Sequence, residues 1–208
     1  MTEAASMITA NPLDGRRKPG SAGLPAGAEV RIVERVPGSG ERYVPCPPGT
    51  VGQVQIRGRG VITRYEAGGP PGAIGPDGWL DTGDLGRLDA DGYLFLAGRS
   101  DDVINRGGEK VYPREIEEVL LAQPGVRSAA VVAAGERPVA YVVPFGPARP
   151  DQLVDELRAA CEAALPRPKR PAAFYLVGEL PLGATGKVAR GRLRELAAVQ
   201  RTPVPGTA

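Results

Sequence analysis

Three segments combine residue types and spacings that could do chemistry. The first is Trp79-Leu80-Asp81-Thr82-Gly83-Asp84, which ends in a carboxylate directly after a glycine. An ionised carboxylate accepts two hydrogen bonds at once, which suits the paired hydroxyls of a ribose. Asp-Thr-Gly-Asp is equally ordinary turn chemistry. The second is Gly98-Arg99-Ser100-Asp101-Asp102-Val103-Ile104-Asn105-Arg106-Gly107-Gly108-Glu109-Lys110. A glycine pair lets backbone approach a ligand closely, and an Arg at a boundary can reach a nucleotide on either side. A charged linker closed by a Gly-Gly turn would have the same composition. The third is Pro181-Leu182-Gly183-Ala184-Thr185-Gly186-Lys187-Val188, a Gly-rich loop whose ammonium can bring a point charge to a carboxylate and a phosphate as they react. It is not a phosphate-cradling P-loop, because that motif needs Gly and Ser or Thr where Pro181 and Val188 stand.

These loops have to be positioned by two stretches of different texture. Up to about Gly98 the signals are β: residues 29–34 alternate with Val30 and Ile32 on one face, and residues 53–57 with Val54 and Ile56. Residues 85–96 predict a hairpin, with Asp89-Ala90-Asp91-Gly92 as its turn. Beyond Ser100 the pattern is mixed. Pro113 opens a helix that buries Ile116, Val119 and Leu120, and strands are expected over 128–133 and 138–143. A second helix runs from Asp151 as its cap through Leu153, Leu157, Ala160, Cys161 and Ala164. A strand over 173–177, the Lys187 loop and a short helix to about Val199 follow, and residues 201–208 carry too little apolar surface to be held down.

Composition excludes several classes. The 29 Gly and 22 Pro are aperiodic and gather at turns such as 36–40, 45–49 and 67–78, so they mark loops in a globular chain. A net charge of +2 with interspersed signs leaves no electrostatic footprint for nucleic acid. The run Arg167, Lys169, Arg170, broken by prolines, reads as a solvated connection. The first twenty residues contain no apolar core of signal-peptide length and no later stretch approaches the ~20 apolar residues of a membrane helix, so a cytoplasmic location is expected by default. With no His, and with Cys46 and Cys161 far apart, thiol-redox pairs, most zinc sites and Ser-His or Cys-His catalysis drop out. Both cysteines are expected to be packed or free.

In this order and spacing, the quoted segments together with Met1-Thr2-Glu3 and Gly52-Gln53-Val54-Gln55-Ile56-Arg57-Gly58 resemble the adenylate-forming, or AMP-binding, superfamily. That superfamily comprises acyl-CoA synthetases, aryl-acid ligases, peptide-synthetase adenylation domains and luciferases. The resemblance runs from Thr2 to about Leu196 and takes Tyr65 as the Tyr of the family's Gly-Tyr region. It implies an α+β fold in three parts. Residues 1–100 would be a β-rich remnant of a large N-terminal domain, as antiparallel strands or a distorted barrel; residues 101–199 a small mixed α/β lid domain; and residues 200–208 a disordered tail.

The resemblance also implies chemistry. A carboxylic acid attacks the α-phosphate of ATP to give an acyl-adenylate and pyrophosphate, and the thiol of coenzyme A then displaces AMP. Asp84 is similar to the ribose-hydroxyl ligand and Arg99 to the second ribose contact. Asp101 resembles the hinge of the lid, and Lys187 the lysine that stabilises charge during adenylate formation. Gly107 and Gly108 resemble the loop bordering the pantetheine tunnel. Thr2 resembles a nucleotide contact and Glu3 a residue that helps hold Mg²⁺. Members of the family carry their phosphate loop, most of the acyl pocket and most of the adenine site upstream of the Thr-Glu pair, so the chain is expected to be incomplete alone. Met1 falls inside a motif, which suits a start assigned at an internal methionine. A separate N-terminal half is one expected partner, and unpaired strand edges in residues 1–100 are another reason to expect one. Members of the family also carry several more residues after Val131-Val132-Ala133-Ala134; their loss should leave both predicted strands intact. A non-catalytic remnant serving as a binding module, and an adenylation unit loading a carrier protein, stand as alternatives.

Overall fold

A computed structural model describes every residue except 6, 37, 39–42, 67, 70–71, 147–148 and 200–208. The expected disordered tail and parts of the turn-rich stretches 36–40 and 67–78 therefore lie outside the described residues. The chain divides into two compact units, Met1–Asp101 and the remainder from Asp102 onward.

The first unit contains β1 (Thr9–Ala10), β2 (Leu24–Pro25), β3 (Glu29–Arg35), β4 (Tyr43–Pro45), β5 (Gly52–Arg57), β6 (Leu80–Leu88) and β7 (Leu94–Arg99). Five of these form an antiparallel sheet in the order β4-β3-β5-β6-β7, while β1 pairs with β2. With β4 and β7 as its ends the sheet is open, so of the two expected forms it takes antiparallel strands and not a closed barrel. The alternation read from sequence sets the register: Val30 faces Ile56 and Ile32 faces Val54, and these side chains pack with Leu80 and Leu94. The opposite face is less exposed than alternation predicts. Gln55 is buried and accepts a 2.9 Å hydrogen bond from Arg31 Nε. The guanidinium carbons of Arg31 and Arg57 lie 4.2 and 4.7 Å from the centroid of the Trp79 ring, so two arginine side chains shield the chain's one tryptophan.

The expected hairpin is present. Asp89 Oδ1 accepts from the backbone N–H of Asp91 and Tyr93 at 3.0 and 2.9 Å, and Lys18 bridges Asp89 and Asp91 from outside, holding the Asp89 carboxyl below the usual carboxylate range. The strand entering it is longer than expected. β6 begins at Leu80, so Asp81-Thr82-Gly83-Asp84 lies in an irregular strand and not in a loop.

The second unit contains β8 (Ile104–Arg106), β9 (Glu109–Val111), α1 (Pro113–Leu121), β10 (Val126–Ala134), β11 (Arg137–Pro144), α2 (Pro150–Ala164), β12 (Phe174–Leu176) and α3 (Arg190–Val199). β10 and β11 are antiparallel, and β12 joins β11 in parallel. Both faces of this sheet are covered, which is why β10 and β11 read as nearly continuous apolar runs. Val131, Ala140 and Val142 meet Ile116, Leu120, Leu153, Leu157 and Cys161 on one face; Ala130, Val132, Val139 and Tyr141 meet Leu193 and Ala197 on the other. β10 and β11 pair as far as Ala134 and Arg137, across a two-residue turn whose Gly135 has φ +63°, so the shortening expected here leaves both strands whole. The mixed α/β expectation for this half is met. Asp151 is not the cap of α2: Arg149 is, in extended conformation, with Pro150 at the first helical position and Asp151 in the first turn. A proline there removes one of the amide donors a cap would satisfy, and the Asp charge faces the positive end of the helix dipole.

Both cysteines are free thiols. Burial pushes the Cys161 thiol up to about 11. An exposed thiol ionises near pH 8.5, so between those pH values the unfolded chain loses a proton that the folded one keeps. This contribution to stability is complete below about pH 8.5 and is lost as the pH rises through about 11. Thermal melts from pH 8 to pH 10.5 should therefore fall more steeply for the wild type than for Cys161→Ala.

Candidate functional site

In the first unit, antiparallel pairing sets Asp84 of β6 directly opposite Arg99 of β7. Arg99 Nη1 donates to the Thr82 carbonyl at 3.0 Å and lies 3.3 Å from Asp84 Oδ1. Thr82, buried below, fixes this part of β6 by donating its hydroxyl to the Val54 carbonyl (2.9 Å) and accepting from the Asp84 N–H (3.1 Å). Ser100 Oγ donates to the Gly83 carbonyl at 3.1 Å. The side chains of Asp84 and Arg99 remain 33% and 53% exposed, so the pair still presents carboxylate acceptors and guanidinium donors to solvent. An exposed ion pair adds at most about 1 kcal/mol, so stability alone is a weak account of this arrangement. Gly83 has φ +71°, and a Cβ there would stand 2.9 Å from Arg99 Nη2. Gly83→Ala is expected to cost about 1–2 kcal/mol through backbone strain and to displace Arg99. Thermal melts should show the lower Tm.

Thr2 and Glu3 lie in a short 3₁₀ turn, Thr2–Ala4, anchored by buried Ala4 and by the Ile62 N–H donating to the Glu3 carbonyl at 2.9 Å. Ala4 packs in the same cluster as Val54, Ile56 and Leu80, so the turn docks on the sheet that carries Asp84. Desolvation and then the Glu3 charge push the Tyr65 phenol up. Among the described residues no group of three or more carboxylate or thiol side chains could hold a metal ion by itself. Glu3 can serve Mg²⁺ only as that ion is often held, by one or two carboxylates completed by phosphate oxygens and water.

In the second unit, Gly107 and Gly108 form the two-residue turn of the β8–β9 hairpin, with φ +58° and +86°. A Cβ on either would meet nothing within 4 Å, so glycine is required here by the turn geometry and not by crowding. Arg106 donates to the Pro168 carbonyl at 2.6 Å, tying the hairpin to the 3₁₀ turn Arg167–Lys169. The run 167–170 is therefore not merely a solvated connection. Lys169 pairs with Glu115 at 2.8 Å, and Arg170 donates to the Leu165 and Glu162 carbonyls at the C-terminal end of α2, both at 2.9 Å.

The Lys187 loop is narrow and closed. A bridge pairs Leu182 with Val188, Gly183 N–H donates to the Lys187 carbonyl (2.8 Å), and Ala189 N–H donates to the Pro181 carbonyl (2.8 Å). Lys187 itself is exposed, and among the described residues its ammonium has no hydrogen-bond or ion-pair partner. Three residues on, Arg190 enters a network that spacing did not signal. It bonds Glu117, Asp102 and the Val131 carbonyl, and Glu117 in turn accepts from the Val131 N–H at 2.7 Å. Glu117 is buried although it stands one position beyond the apolar stripe of α1.

The chain is similar to known proteins. A family model described as the AMP-binding enzyme C-terminal domain matches residues 115–187. The chain is 44% identical over 201 residues to a sulfoacetate–CoA ligase of Cupriavidus necator, a match covering 93% of this chain and 38% of that protein. It is 37% identical over 203 residues to a 2-succinylbenzoate–CoA ligase of Bacillus subtilis, covering 94% of this chain and 40% of that one. Among solved structures, ATP-bound MatB from Rhodopseudomonas palustris superposes with a TM-score of 0.82 at 32% identity, over 95% of this chain and 39% of that one. O-succinylbenzoate coenzyme A synthetase from Bacillus subtilis, in complex with ATP and magnesium ion, superposes with a TM-score of 0.77 at 36% identity, over 93% and 40%. The chain thus spans about two fifths of the relatives it matches.

Proposed function

Since the chain belongs to the AMP-binding enzyme family and corresponds to the C-terminal part of its CoA-ligase relatives, we propose that it supplies the ribose-binding strand pair and the reactive lysine of an ATP-dependent acyl-CoA ligase. In that reaction a carboxylate oxygen bonds to the α-phosphorus of ATP as the bond to pyrophosphate breaks. The coenzyme A thiolate then bonds to the acyl carbon as AMP leaves. Asp84 accepts from the two ribose hydroxyls and Arg99 donates to the same sugar. Thr2 contacts the nucleotide, and Gly107 and Gly108 border the path of the pantetheine arm. Asp101 is the hinge between a β-rich part, residues 1–100, and a lid, residues 101–199. Glu3 would help hold Mg²⁺, which when bound neutralises phosphate charge.

The observation that carries this reading is Lys187: an ammonium without a protein partner among the described residues, held out on a short closed loop. A lysine so placed is not used for folding and is available to an anion. No helix among the described residues is long and apolar enough to cross a membrane, and we place the protein in the cytoplasm, where ATP and coenzyme A are supplied. Its further partners are a small carboxylic acid and an N-terminal half carrying the phosphate loop. ATP–pyrophosphate exchange tests the proposal, with sulfoacetate, 2-succinylbenzoate and oxalate, the acids in the names of its relatives, in the first panel. The 208-residue chain alone should give no exchange with any acid, and adding an N-terminal portion of the family should restore it. Robust exchange by the chain alone would overturn the proposed division. AMP binding without exchange in the assembled pair would favour a binding module.

A further inference from the structure

The network around Arg190 lies outside the roles assigned above, and its members come from four places in the second unit: Asp102, α1, β10 and α3. Arg190 Nη1 is 2.7 Å from the Val131 carbonyl and 2.8 Å from Glu117 Oε1; Nη2 is 3.0 Å from Glu117 Oε2, and Nε is 3.2 Å from Asp102 Oδ2. The other Asp102 oxygen pairs with Arg194, one turn further along α3. The side chains of Arg190, Glu117 and Asp102 are 24%, 11% and 17% exposed, so these charges are largely withdrawn from water and each depends on the others.

Two connections give the network a direction. Arg190 directly follows the neck of the Lys187 loop, which the Ala189 N–H closes on the Pro181 carbonyl. Asp102 is the first residue of this unit and follows Asp101 in the chain. One guanidinium therefore holds both the base of the loop and the point where the chain enters the unit against β10 and α1.

We propose that Arg190 is a positioning residue that locks the Lys187 loop to Asp102, so that a turn of the chain at Asp101 carries the Lys187 ammonium as a rigid arm. This rests on the function proposed for Lys187, while the lock itself is testable without it. Stability alone would be served as well by packed apolar side chains, since replacing a buried ion pair by such residues is often neutral or stabilising. A planar fork with acceptors on separate elements fixes orientation, which an apolar contact does not.

The test compares hydrogen exchange in the full 208-residue chain for wild type, Arg190→Lys, Arg190→Ala, Asp102→Asn and Lys187→Ala. The amides of Gly183, Gly186 and Ala189, which close the loop, should exchange about 10-fold faster or more in Asp102→Asn and Arg190→Ala, with partial recovery in Arg190→Lys. In Lys187→Ala they should exchange as in wild type. In the assembled ligase, Asp102→Asn and Arg190→Ala should lower kcat for pyrophosphate exchange, with KM for ATP within about 2-fold of wild type, because Asp84 and Arg99 are untouched. If Arg190→Ala fails to fold, Asp102→Asn and Arg190→Lys carry the comparison. Loop amides as protected in Asp102→Asn as in wild type, or a KM that rises in step with a fall in kcat, would overturn the lock. Loosened amides together with full exchange activity in Lys187→Ala would leave the lock standing and refute the role given to Lys187.

Discussion

Replacing Lys187 by Ala is expected to lower adenylate formation in the assembled ligase by about 10²- to 10³-fold, the loss seen when one preorganised donor to a developing charge is removed. The Lys187 side chain is exposed and has no protein partner among the described residues, so its removal should leave the melting temperature within error. A large loss of rate with unchanged stability separates a reacting group from a structural one. ATP–pyrophosphate exchange and a thermal melt on the same samples check this. Lys187→Arg keeps the charge on a bulkier, planar head and should recover only part of the rate. An exchange rate for Lys187→Ala within about 3-fold of wild type, far smaller than one such donor is worth, would remove the lysine from the chemistry.

The largest expected stability effect is at Leu157. This residue of α2 is fully buried against α1 and the sheet, in a cluster with Ile116, Leu120, Val131 and Val142. Leu157→Ala removes the side chain from a site with little room to collapse and should cost about 2–5 kcal/mol. For a unit of this size that lowers the melting temperature by about 10 °C or more. We expect residues 102–199 to fold without the first unit, because their helices cover both faces of the three-stranded sheet. An excised fragment should then show the same loss as the full chain, whereas Ile56→Ala, in the core of the first unit, should leave its transition where it was. A fragment without cooperative unfolding would show that this unit needs the other.

Pro113 at the start of α1, the Asp89–Gly92 turn, the alternation of Val30 with Ile32 and the apolar runs of β10 and β11 were all legible in the residues, because each is a local preference. The Lys187 loop was legible for the same reason. Asp151 was misplaced because Asp and Pro both favour helix starts, and adjacent in sequence they compete for the same turn. For the run 167–170, sequence showed charge but not the Glu115 carboxylate and the α2 carbonyls that receive it.

By itself the sequence determined the helices α1 to α3, the strands β3, β5, β7, β10, β11 and β12, the resemblance to a ligase family, and an ammonium on a short loop. Only the tertiary structure decided that Asp84 faces Arg99, that Trp79 is shielded by Arg31 and Arg57, and that Arg190 joins Glu117 to Asp102. The reason is separation along the chain. Backbone preferences and alternation act over a few residues, whereas Arg99 lies 15 positions from Asp84 and Arg190 lies 73 from Glu117. Such partners meet only once sheet register and helix packing bring them together, and the low dielectric around the network then makes each charge there depend on the others.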